Sequence, residues 1–265
     1  MAGRKKTSRI NTILIIIAVI FVYNWVFDDD STQQSGQTGS GSSSPIPPAQ
    51  SYARNFALSW PSLDANTETG IAEQLVVSNY YVILDGSGSM EEQKCSGNRS
   101  KMAAAKDAML AFAEQFPATA NLGLAVFDGN SLSQRVALGA VDADAITQEV
   151  LKTQPNGGTP LLNAMTLGYQ ALEAQARRQL GYGEYHLVVL TDGEANSGQD
   201  PTPAVNRILS ESPVVIHTIG FCIGKRHSLN QPGRIDYRAA DDLDSLKQGL
   251  AAVLAESPDF TVTDF

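Results

Sequence analysis

Short apolar runs alternate with helical patterns between residues 75 and 256. Residues 80–84 and 187–190 are unbroken runs of Tyr, Val, Ile and Leu, which are typical of strands buried on both faces. Residues 101–116 and 160–176 instead place their apolar side chains on one helical face. This alternation predicts an α/β fold, in which a doubly wound, mostly parallel sheet carries helices on both faces.

The remaining elements follow from turn and helix-start signals. Asp128, Gly129 and Asn130 predict a hairpin turn, so one edge strand is expected to run antiparallel. Thr159 is expected to cap the following helix, with Pro160 at its first position. Four further elements are expected at the carboxyl side: a helix over 202–210, a strand over 214–220, a strand over 235–238 and a helix over 243–254.

A longer apolar run, residues 10–27, carries no charged side chain over 18 residues. That length is close to the minimum for a membrane-spanning helix. Basic residues precede the run and Asp28, Asp29 and Asp30 follow it, which predicts an anchor with its amino terminus in the cytoplasm. The alternative, a cleaved signal peptide, lacks the small residues of a cleavage site after the run.

The chain therefore divides into segments of different character. A basic cytoplasmic segment (1–9) precedes the anchor, and a Ser-, Gly-, Gln- and Pro-rich flexible linker (28–50) follows it. Three further segments complete the chain: a pre-domain segment (51–74), the α/β domain (75–256) and a carboxyl-terminal tail (257–265). The pre-domain segment has aromatic residues but no period, and the sequence leaves open whether it packs on the domain.

The charge distribution narrows the classes of partner. The net charge is −9, and four of the 19 basic residues lie before the apolar run. The other 15 basic residues stand against 28 acidic ones, so the domain has no excess of positive charge for nucleic acid phosphates. Such an acidic body is compatible with binding a cation, and no nucleic acid partner is expected.

Three separated segments carry acids and hydroxyls next to predicted strands. Asp85, Ser87 and Ser89 follow the first apolar run in the pattern Asp-Gly-Ser-Gly-Ser. Thr159 lies in Gly-Gly-Thr-Pro before a helix, and Asp192 ends the strand at 187–190 in Thr-Asp-Gly. Carboxylate and hydroxyl oxygens are hard ligands, which Mg²⁺ and similar small divalent cations prefer.

The order and spacing of these segments resemble the von Willebrand factor A (VWA) domain, over residues 75–256. That family carries a metal-ion-dependent adhesion site (MIDAS) of the form Asp-x-Ser-x-Ser, Thr and Asp, and Asp85, Ser87, Ser89, Thr159 and Asp192 match it. The resemblance implies a Rossmann-like fold and a Mg²⁺ or Mn²⁺ site. It also implies that one coordination position stays open for an Asp or Glu carboxylate of a partner protein.

Enzymatic readings fit the sequence less well. Phosphatases of the haloacid dehalogenase type need a second Asp where Ser87 stands, and no Gly-x-Ser-x-Gly elbow surrounds Ser87 or Ser89. His186, His217 and His227 lack metal-ligand spacing, and the first two are expected in the core or at a sheet edge. We expect a binding module that is not an enzyme. The alternatives are a metal-dependent hydrolase such as a phosphatase, with Glu194 as its candidate base, and a scaffold with a purely structural metal site.

The two cysteines, Cys95 and Cys222, lie in the part of the chain expected outside the cytoplasm, where disulfides persist. A disulfide and two separate buried thiols both remain open from the sequence. We expect a single-pass membrane protein whose domain lies outside the cytoplasm, at the periplasmic face of a bacterial inner membrane.

Overall fold

A computed structural model of the chain describes residues 60–62 and 70–255. Its strands form one six-stranded sheet in the order β3-β2-β1-β4-β5-β6. The strands are β1 (Ser78–Gly86), β2 (Asn121–Asp128), β3 (Ser131–Ala140), β4 (Glu184–Thr191), β5 (Val215–Phe221) and β6 (Asp236–Ala240). All neighbouring pairs are parallel except β2 and β3, so the predicted mostly parallel sheet is confirmed.

Helices cover both faces of the sheet. They are α1 (Lys101–Glu114), α2 (Ala143–Lys152), α3 (Leu161–Arg178), α4 (Thr202–Glu211) and α5 (Leu243–Ala255). Because side chains alternate along a strand, β1 contributes Tyr80 to the core under α1, α2 and α5, and Tyr81 to the core under α3 and α4. The doubly wound α/β architecture is therefore confirmed.

The antiparallel edge strand follows from a tight turn. Gly129 and Asn130 adopt φ values of 53° and 64°, the positive-φ pair that a two-residue hairpin turn requires. The returning strand begins at Ser131, directly after the turn. The turn places Asn130 against the loop that leads into α3, where a Cβ on Gly157 would lie 2.7 Å from the Asn130 nitrogen.

One helix was not predicted, and one local expectation was wrong. The helix Ala143–Lys152 was not predicted, although Asp142 caps it by accepting a hydrogen bond from the Ala145 nitrogen at 2.8 Å. Thr159 does not cap α3, because the helix begins at Leu161 and has no side-chain cap. The Thr159 hydroxyl is therefore not used by the helix start.

Residues 60–62 of the pre-domain segment pack on the domain. Trp60 donates a hydrogen bond from Nε1 to the Tyr169 hydroxyl at 3.1 Å, and its ring meets that of Tyr185 edge-on at 4.9 Å. Pro61 is buried, and the Ser62 carbonyl accepts from Arg177. This short stretch lies against α3 and β4, so part of the segment belongs to the folded body.

The predicted anchor, residues 10–27, lies outside the described residues, as do segments 1–9, 28–50 and 257–265. Within residues 60–62 and 70–255, none of the helices combines the length and apolar character needed to cross a bilayer.

Candidate metal centre

The five candidate residues belong to loops at the carboxyl ends of the strands. Asp85 lies near the end of β1, and Asp192 directly follows β4, the strand beside it. From β1 the chain builds the sheet outward through β2 and β3, whereas β4, β5 and β6 extend it the other way. The two acids therefore flank the topological switch point, the place where doubly wound sheets bind ligands.

Asp85 is fully buried and held from two sides. Its Oδ1 accepts from the Ser87 backbone nitrogen at 2.8 Å, and its Oδ2 accepts from the Thr191 hydroxyl at 2.5 Å. Burial, and then the nearby Asp192 carboxylate, raises the pKa of Asp85 to about 6. The Asp192 carboxylate thus disfavours the ionised form of Asp85, and a cation bound at Asp85 would favour it.

The hydroxyls form an ordered chain of hydrogen bonds. Ser89 Oγ donates to Asp192 Oδ1 at 2.7 Å, and the Ser87 and Ser89 hydroxyl oxygens are 3.0 Å apart. Because the Ser89 hydrogen is directed at Asp192, a hydrogen bond between the two serines has Ser87 as its donor. Asp85, Ser87, Ser89 and Asp192 thus share one compact network of oxygen atoms.

Thr159 reaches the same place from a third loop. Gly193 faces both hydroxyls, since a Cβ on it would lie 3.5 Å from Ser89 Oγ and 3.8 Å from Thr159 Oγ1. Thr159 is 5% exposed. A side chain at position 193 would therefore contact both hydroxyls.

Backbone hydrogen bonds tie the three loops together. Gly88 donates to the Gly157 carbonyl at 3.0 Å, and Asn156 donates to the Gly86 carbonyl at 2.9 Å. On the other side, the Asn196 nitrogen donates to the Thr159 carbonyl at 3.0 Å. The candidate ligands are therefore positioned by loops that brace each other.

Lys101 is a residue of the site that the sequence analysis missed. Its Nζ donates to Asp192 Oδ2 at 2.8 Å and to Glu92 Oε2 at 2.8 Å. Burial alone would lower the pKa of Lys101, but the hydrogen bonds to Asp192 and Glu92 outweigh it and raise that pKa. The available signal was its position in line with the buried residues Ala105 and Ala108 of α1.

The histidine nearest the site has a structural role. His227 Nδ1 accepts from the Leu229 backbone nitrogen at 3.0 Å, so its hydrogen is on Nε2, which contacts the Gly193 carbonyl at 2.9 Å. Its ring holds the loop after Asp192 and offers no free nitrogen to act as a base. Glu194, the candidate base of the hydrolase alternative, is exposed.

His186 and His217 are both buried, as predicted, and their rings meet at 3.0 Å between Nδ1 and Nε2.

The donor set fits a small, hard divalent cation. It consists of two carboxylates and three hydroxyls, all oxygen, in a space that a side chain on Gly193 would begin to fill. Among the described residues, no three His, Cys, Asp or Glu side chains are grouped so that they could hold a metal ion. The assignment of the five residues as ligands stays a prediction.

Cys95 and Cys222 are joined by a disulfide, with their Cα atoms 5.8 Å apart. Cys95 lies in the loop between the Asp-Gly-Ser-Gly-Ser motif and α1, and Cys222 follows β5. The bond ties the loop that carries Glu92 to the neighbouring half of the sheet.

Comparison with known proteins relates the part of the chain that holds the candidate ligands to a known family. Residues 80–194, which include all five candidate ligands, match the family model of the von Willebrand factor type A domain. The described domain has the VWA fold. A comparison with curated protein sequences gives no match.

Solved structures with the VWA fold are similar at low sequence identity. A von Willebrand factor type A protein from Catenulispora acidiphila is 18% identical, with a TM-score of 0.55 over 68% of this chain and 42% of that one. Proximal thread matrix protein 1 from the mussel byssus, solved with a zinc-occupied MIDAS motif, is 17% identical, with a TM-score of 0.51 over 68% and 45%. The PilB minor pilin of Streptococcus sanguinis, a D319A mutant, is 14% identical, with a TM-score of 0.51 over 72% and 65%. The chain spans less than two thirds of each of these structures.

Proposed function

We propose that this protein is a non-enzymatic binding module that captures a partner protein through Mg²⁺ or Mn²⁺. Asp85, Ser87, Ser89, Thr159 and Asp192 would hold the cation. When bound, the cation supplies positive charge and an open coordination position for a partner's Asp or Glu carboxylate. The observation that carries the proposal is the network that joins Asp85, Ser87, Ser89 and Asp192 at the switch point of the sheet, with the Thr159 hydroxyl close beside it.

The residues of the chain favour an outside anion over a closed site. Three of the five candidate ligands are neutral hydroxyls, and the only two acids are Asp85 and Asp192. Ser87 and Thr159 are buried but Ser89 is partly exposed, so the site reaches solvent at Ser89. A cation in such a site retains positive character, and metal and partner would bind cooperatively.

A recess beside Thr159 gives a partner further surface to contact. It has a volume of about 230 Å³ and is lined by Gly158, Pro160, Asn130, Asn163 and Asn196, among others. Its amides donate and accept hydrogen bonds, and Gly158 and Pro160 of its lining flank Thr159 in the chain. Residues that flank this carboxylate in the partner would contact the recess.

The proposal includes the membrane topology expected from the sequence. Residues 10–27 would anchor the chain, and residues 28–265 would face away from the cytoplasm, at the periplasmic face of a bacterial inner membrane. The disulfide between Cys95 and Cys222 supports an oxidising compartment for the domain. A reporter enzyme that works only outside the cytoplasm, fused after Phe265, should be active, and a silent reporter on an expressed protein would contradict this topology.

Binding of Mn²⁺ and of a carboxylate tests the function. The full-length chain in detergent is titrated with Mn²⁺, followed by electron paramagnetic resonance, and acetate is then added while the relaxation of bound water is measured. We expect saturable Mn²⁺ binding and displacement of a bound water by acetate, and crosslinking of a partner in intact membranes that chelator abolishes. Binding of Mn²⁺ without any response to acetate would favour a closed, structural site, and turnover of a phosphoester panel would favour the hydrolase.

A further inference from the structure

Lys101 occupies a position that is unfavourable for a lysine. It is the first residue of α1, where the helix dipole is positive, and it is only 3% exposed. Lysines are almost never this buried unless they are paired. The energetic cost of the position is offset by two carboxylates, Asp192 and Glu92.

Lys101 is hydrogen-bonded to only one of the two acids of the site. Asp192 accepts from Lys101 at one oxygen and from Ser89 at the other, so its charge is balanced by a buried ammonium group. Asp85 accepts only from neutral donors, the Thr191 hydroxyl and backbone nitrogens. Asp85, Asp192 and the buried Lys101 together therefore present a charge of about −1 to a cation, and the exposed Glu92 balances part of the Lys101 charge from the solvent side.

We propose that Lys101 is a positioning residue that sets the charge of the metal centre. Its ammonium group weakens the attraction of the site for the cation and leaves more positive charge for the partner's carboxylate. It also orients the Asp192 carboxylate, because Oδ2 accepts its hydrogen bond. This inference rests on the proposed function, since it concerns the balance between cation and carboxylate at the same site.

The substitution Lys101→Met removes the charge and keeps most of the aliphatic volume. Two measurements should change in opposite directions. The affinity for Mn²⁺ should rise by about tenfold or more, because a positive charge is removed a few ångströms from a divalent ion. The affinity of the Mn²⁺-loaded protein for acetate should fall several-fold. A lysine that only supported the local fold would weaken both.

A second variant changes the charge around Lys101 at an exposed residue, Glu92. The Glu92 side chain is 59% exposed, so Glu92→Gln should leave the fold intact while it removes the outer partner of Lys101. With less of the ammonium charge balanced, Mn²⁺ affinity should fall about two- to threefold and acetate affinity should rise, the reverse of Lys101→Met. Screening by solvent keeps this effect small.

The experiment uses the full-length chain in detergent, with Mn²⁺ and acetate titrations for each variant. Lys106→Met, five residues further along α1, controls for the loss of a lysine, and Glu91→Gln controls for the loss of an acid next to Glu92. If Lys101→Met does not fold, the contrast between Glu92→Gln and Glu91→Gln decides the question. Equal Mn²⁺ and acetate affinities in variants and controls, or parallel losses of both, overturn the role of Lys101 alone. A wild-type chain that binds no Mn²⁺ overturns the proposed function as well.

Discussion

Asp85 and Thr191 lie on adjacent strands and are joined by a hydrogen bond of 2.5 Å from the threonine hydroxyl to the carboxylate. Both residues are fully buried. Thr191 is the last residue of β4, directly before Asp192, so this bond fixes the two acids of the site relative to each other. The resemblance that identified the five candidate ligands does not include Thr191.

We expect Thr191→Val to destabilise the protein in chelator by about 1.5–3 kcal/mol, because it removes a hydrogen bond to a buried charged group. Thr218→Val on β5 is the matched control, since the Thr218 hydroxyl is buried without a hydrogen-bond partner in the described structure. Its removal should be neutral or stabilising. Urea unfolding of both variants measures the difference, and similar losses in the two would contradict the importance of the Asp85–Thr191 bond.

Asp85→Asn should separate stability from metal binding. Burial and Asp192 raise the pKa of Asp85, so its ionised form is unfavourable without a cation. In chelator, the free energy of unfolding of the variant should therefore lie within about ±1 kcal/mol of that of the wild type. Saturating Mg²⁺ should stabilise the wild type by about 2.7 kcal/mol at a hundred times Kd, and the variant not at all. Thermal melts with Mg²⁺ and chelator test this, with Asp144→Asn at an exposed position of α2 as the control. Equal shifts with Mg²⁺ in wild type and Asp85→Asn would exclude Asp85 as a ligand.

The buried pair of histidines predicts a pH dependence of stability. Burial, and then His217, lowers the pKa of His186 to about 3, whereas the unfolded chain titrates near 6.5. His186 therefore stays neutral in the fold, and its contribution is fully present above about pH 6.5 and lost as the pH falls toward 3. The expected slope is up to about 1.4 kcal/mol per pH unit.

His186→Phe keeps a ring against Tyr80, on which the His186 ring stacks at 4.4 Å. The variant should have a lower stability at neutral pH, because His217 loses its partner, but a shallower decline in acid. Urea unfolding between about pH 7 and about pH 4.5 gives both slopes. Parallel slopes would show that His186 is already charged in the fold or contributes nothing to the dependence.

The disulfide should make a large contribution to the free energy of unfolding. Cys95 and Cys222 are 127 residues apart, and closing a loop of that length is worth about 4–5 kcal/mol in the chain-entropy account. The double variant Cys95→Ser, Cys222→Ser should lose stability of this order in urea, and reduction should lower the wild type to the same level. A wild type that is unaffected by reductant would mean that the bond is not formed in the isolated protein.

The sequence predicted those parts of the protein that depend on neighbouring residues. Strands β1 and β4 are continuous apolar runs, and the turn contains the Gly129-Asn130 pair that is typical of hairpins. The sequence therefore predicts all three features. The position of Lys101 was not predicted, because its buried state depends on Asp192, a residue 91 positions away. Trp60 is a similar case, since its contacts with Tyr169 and Tyr185 have no local pattern. Helix α2 was missed because its apolar residues are few and only Ile146 and Val150 are buried.

The order of the strands also has a consequence for how the site comes into existence. Asp85 and Ser89 are present early in the chain, but Asp192 and Thr191 reach them only after β4 has paired with β1 across more than a hundred residues. Such non-local pairing forms late, after the entropy of closing a long loop has been overcome. A nascent or truncated chain that ends before β4 therefore lacks the complete set of oxygens. Metal capture would accordingly report that synthesis and folding have finished, and a partner that requires the cation would engage only completed molecules.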